Sequence, residues 1–330
     1  MNETTIESPP RRFLKEFGEN ESVNQVFLLG DKQLRQNRNG NLYLQMRLSD
    51  RTGAVTGMLW NASNDTAADV HNGDYVHVDG TTQNFNGSIQ VIAKKIKPAE
   101  QGAYSEEDFV HISAAELARR RSRLSELLHN CENPHLRKLA ECFLTDDAFL
   151  DRLGRAPAAV KNHHAYHGGL LEHVVQLMEL ARTVGELYPQ IDTDLLVFGA
   201  FLHDLGKIEE LGYERDLAYT DEGQLIGHLV MGVRIVEDKI EQVTQMGDEP
   251  FPEELALRLK HMIVSHHGKL EFGSPKVPMT LEAVALHYID DLDAKIHCMH
   301  QEIVEDLNID SHWTPFNPGL GRKLFKGSRP

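Results

Sequence analysis

A small five-stranded β-barrel followed by a larger all-α domain is the fold class this sequence predicts, and three observations predict it. Apolar and polar residues alternate with period two between Asn24 and Pro98; from Ser113 onward the period is 3.6; and the intervening stretch, 99–112, has linker composition. At 330 residues, 41% hydrophobic and 25% charged, the chain suffices for about two domains and falls outside collagenous, low-complexity and disordered classes. The expected division is a barrel over 13–98, a linker over 99–112, a helical domain over 113–312 and a basic tail over 313–330.

The barrel pattern is clearest where Leu42, Leu44, Met46 and Leu48 alternate with Tyr43, Gln45, Arg47 and Ser49, the mark of a strand with one buried face. Strands are also predicted over Val26–Lys32, Ala54–Trp60, Tyr75–Thr82 and Ser88–Ile96, with turns at Asn39-Gly40, Arg51–Gly53 and Asn86-Gly87. A short helix over Asn64–Val70 falls between the third and fourth strands, where an OB-fold carries one, so the barrel reads as an OB-fold.

In the second domain, Ser113 and Glu116 form a capping box for a helix running towards Leu128, whose Arg119, Arg120, Arg121 and Arg123 read as a solvated face. Further helices are expected over Pro134–Phe143, Ala148–Leu153, Gly169–Tyr188, Asp194–Leu205, Ile226–Met246, Pro252–Ser265 and Thr280–Leu307. Trp313–Pro330 is Gly/Pro-rich coil with four basic side chains and is expected to wrap the domain.

No apolar stretch approaches the roughly 18 residues of a membrane span, and Met1–Arg12 lacks a signal-peptide core. Cys131, Cys142 and Cys298 share no metal-type spacing and make no disulfide framework, which suits a reducing compartment. The expectation is a cytoplasmic protein without a membrane partner. The net charge of -16 argues against a simple nucleic-acid coat, yet it is unevenly spread: residues 11–98 carry 11 Lys+Arg against 9 Asp+Glu, while the remainder carries 23 against 41.

There are 18 histidines, which invites a search for metal or acid–base clusters. His173 falls on the apolar face of its helix, three residues after Leu170 and four before Leu177. His203-Asp204 ends the apolar run Phe198–Leu202, where an unpaired buried carboxylate would cost several kcal/mol unless a cation accompanied it. His228 lies within Leu225–Met231, His266-His267 close the next helix, and Asp290 and Asp293 interrupt the apolar pattern of the last one. Five apolar helices each with an imidazole or carboxylate intrusion point to bound metal. Mixed nitrogen and oxygen donors without thiolates favour a transition metal, manganese first, with iron, cobalt or nickel as alternatives. The donors suffice for two divalent ions, with Asp204 able to bridge them.

In order and spacing, His173, His203-Asp204, His228, His266-His267 and Asp290 resemble the HD superfamily of metal-dependent phosphohydrolases. The resemblance implies that His173, His203, Asp204 and Asp290 hold one ion and Asp204, His228, His266 and His267 the other. It prefers Asp290 to Asp291, because Asp290-Asp291-Leu292-Asp293-Ala294 matches the family's Asp-x-x-Asp-Ala ending, and leaves Asp293 to support a ligand from behind. An OB-like barrel ahead of an HD domain further resembles the YhaM-type 3′-to-5′ exoribonucleases over nearly the whole chain. The local marks are Asn162-His163-His164-Ala165-Tyr166, Gly168-Gly169-Leu170-Leu171-Glu172-His173, Ser265-His266-His267-Gly268 and Glu271-Phe272-Gly273-Ser274-Pro275. HD enzymes of cyclic dinucleotides place Gly-Tyr-Pro after the paired histidines, whereas this chain has Gly273-Ser274-Pro275, so small nucleotides such as cyclic dinucleotides or dNTPs are the second reading.

Phosphodiester hydrolysis at such a site would release nucleoside 5′-monophosphates. Lys207, just after the His-Asp pair, is the candidate catalytic phosphate contact beside Asp204, with Lys269 and Lys276 weaker ones. His163, His164 and His167 are candidates for positioning substrate or donating a proton. On the barrel, Tyr43, Arg47, Trp60, Tyr75 and Phe85 are candidates for single-strand binding; Tyr43 and Arg47 alternate away from the apolar face and lead, while Trp60 and Tyr75 read as core. Single-stranded RNA is the expected partner on the resemblance alone, with single-stranded DNA and a homo-oligomer as further expectations.

Overall fold

The computed structural model describes residues 11–85, 88–109, 112–160, 166–213, 218–246, 249–306 and 311–327. The chain divides into two compact units, one carrying the strands and one carrying the helices from Ile112 onward; residues 311–315 group with the first and 316–327 with the second.

Five strands, β1 (Ser22–Gln36), β2 (Leu42–Asp50), β3 (Gly53–Trp60), β4 (Tyr75–Phe85) and β5 (Ser88–Pro98), close a barrel in the order β1-β2-β3-β5-β4, with α1 (Asn64–Ala68) between β3 and β4. Only the β3–β5 pairing is parallel. This is the OB-fold arrangement. The strand expected over Val26–Lys32 is twice as long, because one strand closes the barrel from both sides: Ser22–Leu28 pair with β4 and Leu28–Gln36 with β2. Within the β2-paired half the register slips between Gly30 and Gln33, and Asp31 takes φ 45°, a bulge that bends the strand. The polar run Lys32–Gln36 hides this strand from a periodicity argument, since the ladder holds it rather than apolar burial. Phe27, Leu29, Leu44, Met46, Leu48 and Val78 fill the interior. The turn expected at Asn86-Gly87 lies outside the described residues.

The second unit comprises α2 (Ala114–His129), α3 (Pro134–Leu144), α4 (Asp147–Arg155), α5 (Gly169–Leu187), α6 (Thr193–Leu202), α7 (Lys207–Glu210), α8 (Asp221–Ile226), α9 (His228–Met246), α10 (Glu253–Ser265) and α11 (Leu281–Glu305). Two two-residue strands, β6 (Leu211–Gly212) and β7 (Ala218–Tyr219), pair between α7 and α8. Leu195 to Leu202 are all buried, as expected of a helix apolar on every side, so α6 runs through the core and delivers its C-terminal His203-Asp204 to the middle of the unit.

Two expectations change here. The helix expected over Ile226–Met246 is two: Gly227 takes φ 82°, ending α8 and letting α9 start at His228. The arginines of α2 are not a uniform solvated face. Arg119 is exposed, but Arg120 reaches Glu172 at 2.8 Å, Arg123 reaches Glu179 at 2.5 Å and Arg121 donates to the Leu150 carbonyl at 3.0 Å. Long guanidinium stems lie along the helix while their heads bind α4 and α5. No described helix is long and apolar enough to cross a membrane.

A buried lysine ties α9 to the α3–α4 turn: Lys239 Nζ donates to the Cys142 carbonyl at 2.9 Å and to Asp146 Oδ2 at 2.8 Å. Lys239→Ala is expected to lower the unfolding free energy by roughly 1 to 3 kcal/mol in urea denaturation, since it strands a buried acceptor; screening of the partly exposed Asp146 keeps the figure from rising further. The Lys239 contact holds the Asp146 carboxyl below its ordinary range. Its share of stability is therefore present above the unfolded carboxylate pKa and lost as pH falls through the folded one, so the wild-type advantage over Lys239→Ala should shrink in acid.

Candidate metal centre

Five elements converge on one point in the helical unit. His173 projects from the buried face of α5, His203 caps α6, Asp204 follows it, His228 opens α9, His266 and His267 close α10, and Asp290 comes from the middle of α11. A close approach makes this possible: a Cβ on Gly206 would lie 1.9 Å from the His228 carbonyl oxygen, so only glycine lets the turn after Asp204 pack against the start of α9.

The donor atoms face one another. His173 Nε2 lies 3.2 Å from His203 Nε2, 3.3 Å from Asp290 Oδ1 and 3.7 Å from Asp204 Oδ2. His203 Nε2 is 3.3 Å from Asp204 Oδ2. Across the carboxylate, Asp204 Oδ1 is 3.6 Å from both His228 Nε2 and His266 Nε2. One oxygen of Asp204 thus faces His173 and His203, and the other faces His228 and His266. His228, His266 and His267 form a further triad whose donor atoms lie within 4.8 Å of one another.

The outward nitrogens fix how these rings are used. Nδ1 of His203 meets the Ala200 carbonyl at 2.8 Å, that of His266 the Ile263 carbonyl at 2.8 Å, and that of His267 the Phe272 carbonyl at 3.0 Å. Nδ1 of His228 meets Glu210 Oε1, and Nδ1 of His173 meets Asp293 Oδ2, both at 3.0 Å. Each partner is an acceptor, so each Nδ1 carries the proton and every Nε2 is left to face the centre, the orientation a metal requires. Two buried atoms there, Asp204 Oδ1 and His228 Nε2, have no hydrogen-bond partner. A buried unsatisfied oxygen and nitrogen 3.6 Å apart are costly in a folded protein unless a cation joins them, so the residues fit a divalent ion.

Electrostatics reinforce the fit. Burial opposes charge on Asp204, but Lys207, His203 and His228 outweigh it and hold the carboxyl well below the usual range. Asp290 is likewise held down against burial, mainly by its contact with His173 and by nearby His203. His266 is pushed far below the ordinary imidazole range by burial and by His203, and His267 is lowered by burial and by His228, so both rings are kept neutral, the form that can ligate a metal. His173 goes the other way: burial disfavours charge, yet Asp290 and Asp293 overcome it and lift the ring to about 9.

The seven expected ligands therefore lie together, and Asp293 stands behind His173. Asp293 is in turn held by Gln176, whose Nε2 donates to Oδ1 at 2.7 Å, and by His297 at 3.3 Å. Lys207, the expected phosphate contact, donates from Nζ to Asp204 Oδ2 at 2.6 Å. His167 is largely buried and its pKa is lowered by that burial, while His163 and His164 lie outside the described residues. Lys276 is exposed, and Lys269 is exposed with its Nζ 5.3 Å from the Phe272 ring centroid.

On the barrel, Tyr43 and Arg47 occupy the outer side of β2, paired across to Trp60 and Thr56. Trp60, expected in the core, is instead 47% exposed and stands 5.2 Å from Tyr43, centroid to centroid. It follows buried Leu59 and pairs with the outward Tyr43, so the alternation of β3 itself turns it to the outer face. Tyr75 packs on Tyr104 and Phe109, Phe85 is exposed, and Arg47 is half-buried with its pKa lowered by burial, against a nearby Asp31.

Glu210 is the supporting residue that sequence reasoning misses. Its Oε1 accepts both the backbone N–H and the Nδ1–H of His228, each at 3.0 Å. Eighteen residues and a change of helix separate the two, so no local spacing marks the pair. Glu210→Ala is expected to weaken metal binding roughly 10- to 100-fold, measured by competition with a chelator, because the ring is no longer aimed. Unchanged affinity would show that His228 needs no such brace.

Comparison with known proteins adds two domain matches and a set of relatives. Residues 31–99 match the OB-fold nucleic acid binding domain family and residues 170–295 match the HD domain family. The chain is 35% identical over 286 residues to "3'-5' exoribonuclease YhaM" of Bacillus velezensis and 34% identical over 286 residues to that of Bacillus subtilis, in each case 86% of this chain and 88% of the relative. The protein of that name from a Geobacillus species is 35% identical over 80% of both chains.

Proposed function

This chain belongs to the YhaM family of 3′-5′ exoribonucleases, and on that premise we propose that it removes nucleotides from the 3′ end of single-stranded RNA at the centre described above, releasing nucleoside 5′-monophosphates. It is a metal-dependent hydrolase; the number and identity of the ions are our reading. One ion is assigned to His173, His203, Asp204 and Asp290, and a second to Asp204, His228, His266 and His267. The observation that carries this is Asp204, whose two oxygens face separate sets of imidazoles while one of them has no hydrogen-bond partner. Manganese is the preferred metal on the mixed imidazole and carboxylate donors.

A pair of divalent ions held by these residues would supply Lewis-acid charge for the phosphate and activate water at neutral pH. The chain's own residues do the rest. Asp293, Glu210 and three main-chain carbonyls hold the imidazoles in one tautomer and orientation, and the Lys207 ammonium, 2.6 Å from Asp204, is the proposed contact for a phosphate entering beside that carboxylate. Seven ligands shared by two ions leave coordination positions for water and substrate, which distinguishes this site from a closed structural one.

The OB-fold is the reason for a polymer substrate, with Tyr43, Trp60 and Arg47 as its strand-binding face. Stacking on rings needs no 2′-hydroxyl, so single-stranded DNA is proposed as a weaker second substrate. A homo-oligomer is proposed on α11, where Leu281, Val284, Tyr288, Leu292 and Ile296 are exposed at one-turn spacing. A cytoplasmic location is proposed from the three unpaired cysteines. The deciding assay uses 5′-labelled single-stranded RNA with manganese: a descending ladder is the expected result, and an intact substrate overturns the reading.

A further inference from the structure

The turn that follows His267 carries a feature the metal centre does not use. Phe272 N donates to the Lys269 carbonyl at 3.1 Å, Gly273 N to the Leu270 carbonyl at 3.1 Å, and Ser274 Oγ to the Val264 carbonyl at 3.0 Å, so the segment is tied to itself and to α10. It is also tied to the site, because the Phe272 carbonyl accepts from Nδ1 of His267 at 3.0 Å. One hydrogen bond and one imidazole ring therefore separate the Phe272 main chain from the nitrogen facing the centre. Yet the Phe272 ring is 59% exposed, and Lys269 from the same turn sets its ammonium 5.3 Å from the ring centroid.

A phenyl ring held in water on a turn this well bonded is not there to build a core. Ring and ammonium together are the two elements from which a single-strand site is made: a face for a base and a charge for its phosphate. Their position matters because the rest of the chain outside the barrel is strongly acidic, so a strand approaching the metals needs local positive charge.

We propose that Phe272 and Lys269 form a nucleotide subsite at the metal centre, in which the Phe272 ring stacks on a base among the last few nucleotides of the 3′ end and Lys269 binds an adjoining phosphate. The proposal rests on the exonuclease reading and adds the residues that hold the end of the strand in register. The subsite recognises a base by its face, not by its edge, so it accepts all four bases and rejects a strand end whose base is absent or already paired.

The test crosses protein and substrate changes. Wild-type and Phe272→Ala enzymes are assayed on single-stranded RNA with ordinary ends and on the same RNA with one abasic nucleotide at the first, second or third position from the 3′ end, with metal content measured in parallel. Wild type should lose about 5- to 150-fold in kcat/KM at one of those positions, the range of one base–aromatic stack. Phe272→Ala should show a loss of similar size on ordinary RNA, no further loss at that abasic position and normal metal content, and Phe272→Trp should restore the wild-type pattern. Lys269→Gln should reduce the salt dependence of KM by about one phosphate contact. Additive losses at every position, or an unchanged KM in Phe272→Ala, overturn the subsite while leaving the exonuclease reading intact. A wild-type enzyme that trims no RNA overturns both.

Discussion

Asp204→Asn is expected to purify with well under half the metal of the wild-type protein and to lose RNA turnover by on the order of 10³-fold or more, since Lewis-acid stabilisation of several kcal/mol goes with the ions. The amide keeps the shape of the side chain and changes two things. It removes the negative charge that faces four imidazoles, and it replaces one oxygen by an NH2 that points hydrogens at ring nitrogens. Because Oδ2 faces His173 and His203 while Oδ1 faces His228 and His266, either rotamer of the amide spoils one half of the centre and weakens the other. Half-buried Lys207 also loses the negative charge of its 2.6 Å partner. Elemental analysis of both proteins reads the effect directly. Loss of His173 should deplete one ion more than the other, whereas full metal content in Asp204→Asn would show that this carboxylate does not bridge.

Removing residues 1–98 is expected to raise KM for long single-stranded RNA by on the order of 10²-fold, the worth of two base–aromatic stacks with their phosphate contacts, and to flatten its dependence on salt. The charge distribution motivates this: residues 11–98 are slightly basic and the remainder strongly acidic, so the barrel must supply the attraction the catalytic unit lacks. Tyr43 and Trp60, whose rings lie side by side, are the proposed stacking surface, and Tyr43→Ala or Trp60→Ala in the full chain should each cost roughly 1 to 3 kcal/mol of strand binding with metal content unchanged. Turnover of a dinucleotide should barely move. Equal losses on dinucleotide and long RNA would instead show that the barrel shapes the catalytic site.

Much of the barrel and most helices are legible from hydrophobic period, because burial of one face dictates the pattern. The proposed metal ligands are legible for the converse reason. His173, His203, Asp204, His228, His266, His267 and Asp290 are conspicuous because each places an imidazole or carboxylate in or beside an apolar run, where it is expensive without a partner. What periodicity cannot reach are features held by hydrogen bonds or by backbone conformation: the polar half of β1, held by its ladder to β2, and the break at Gly227, imposed by a positive φ.

The sequence by itself determined the two-part architecture and the kind of chemistry, since composition, period and donor type are properties of residues taken one segment at a time. Only the tertiary structure decided that Asp204 turns one oxygen to each set of histidines, that Glu210 aims His228 and Gln176 steadies Asp293, and that Phe272 stands in water beside Lys269. Those pairings join residues up to 117 positions apart, as in Gln176 and Asp293. Distance and direction between such groups are set by how α5, α6, α9, α10 and α11 pack, and a linear pattern carries no record of that packing.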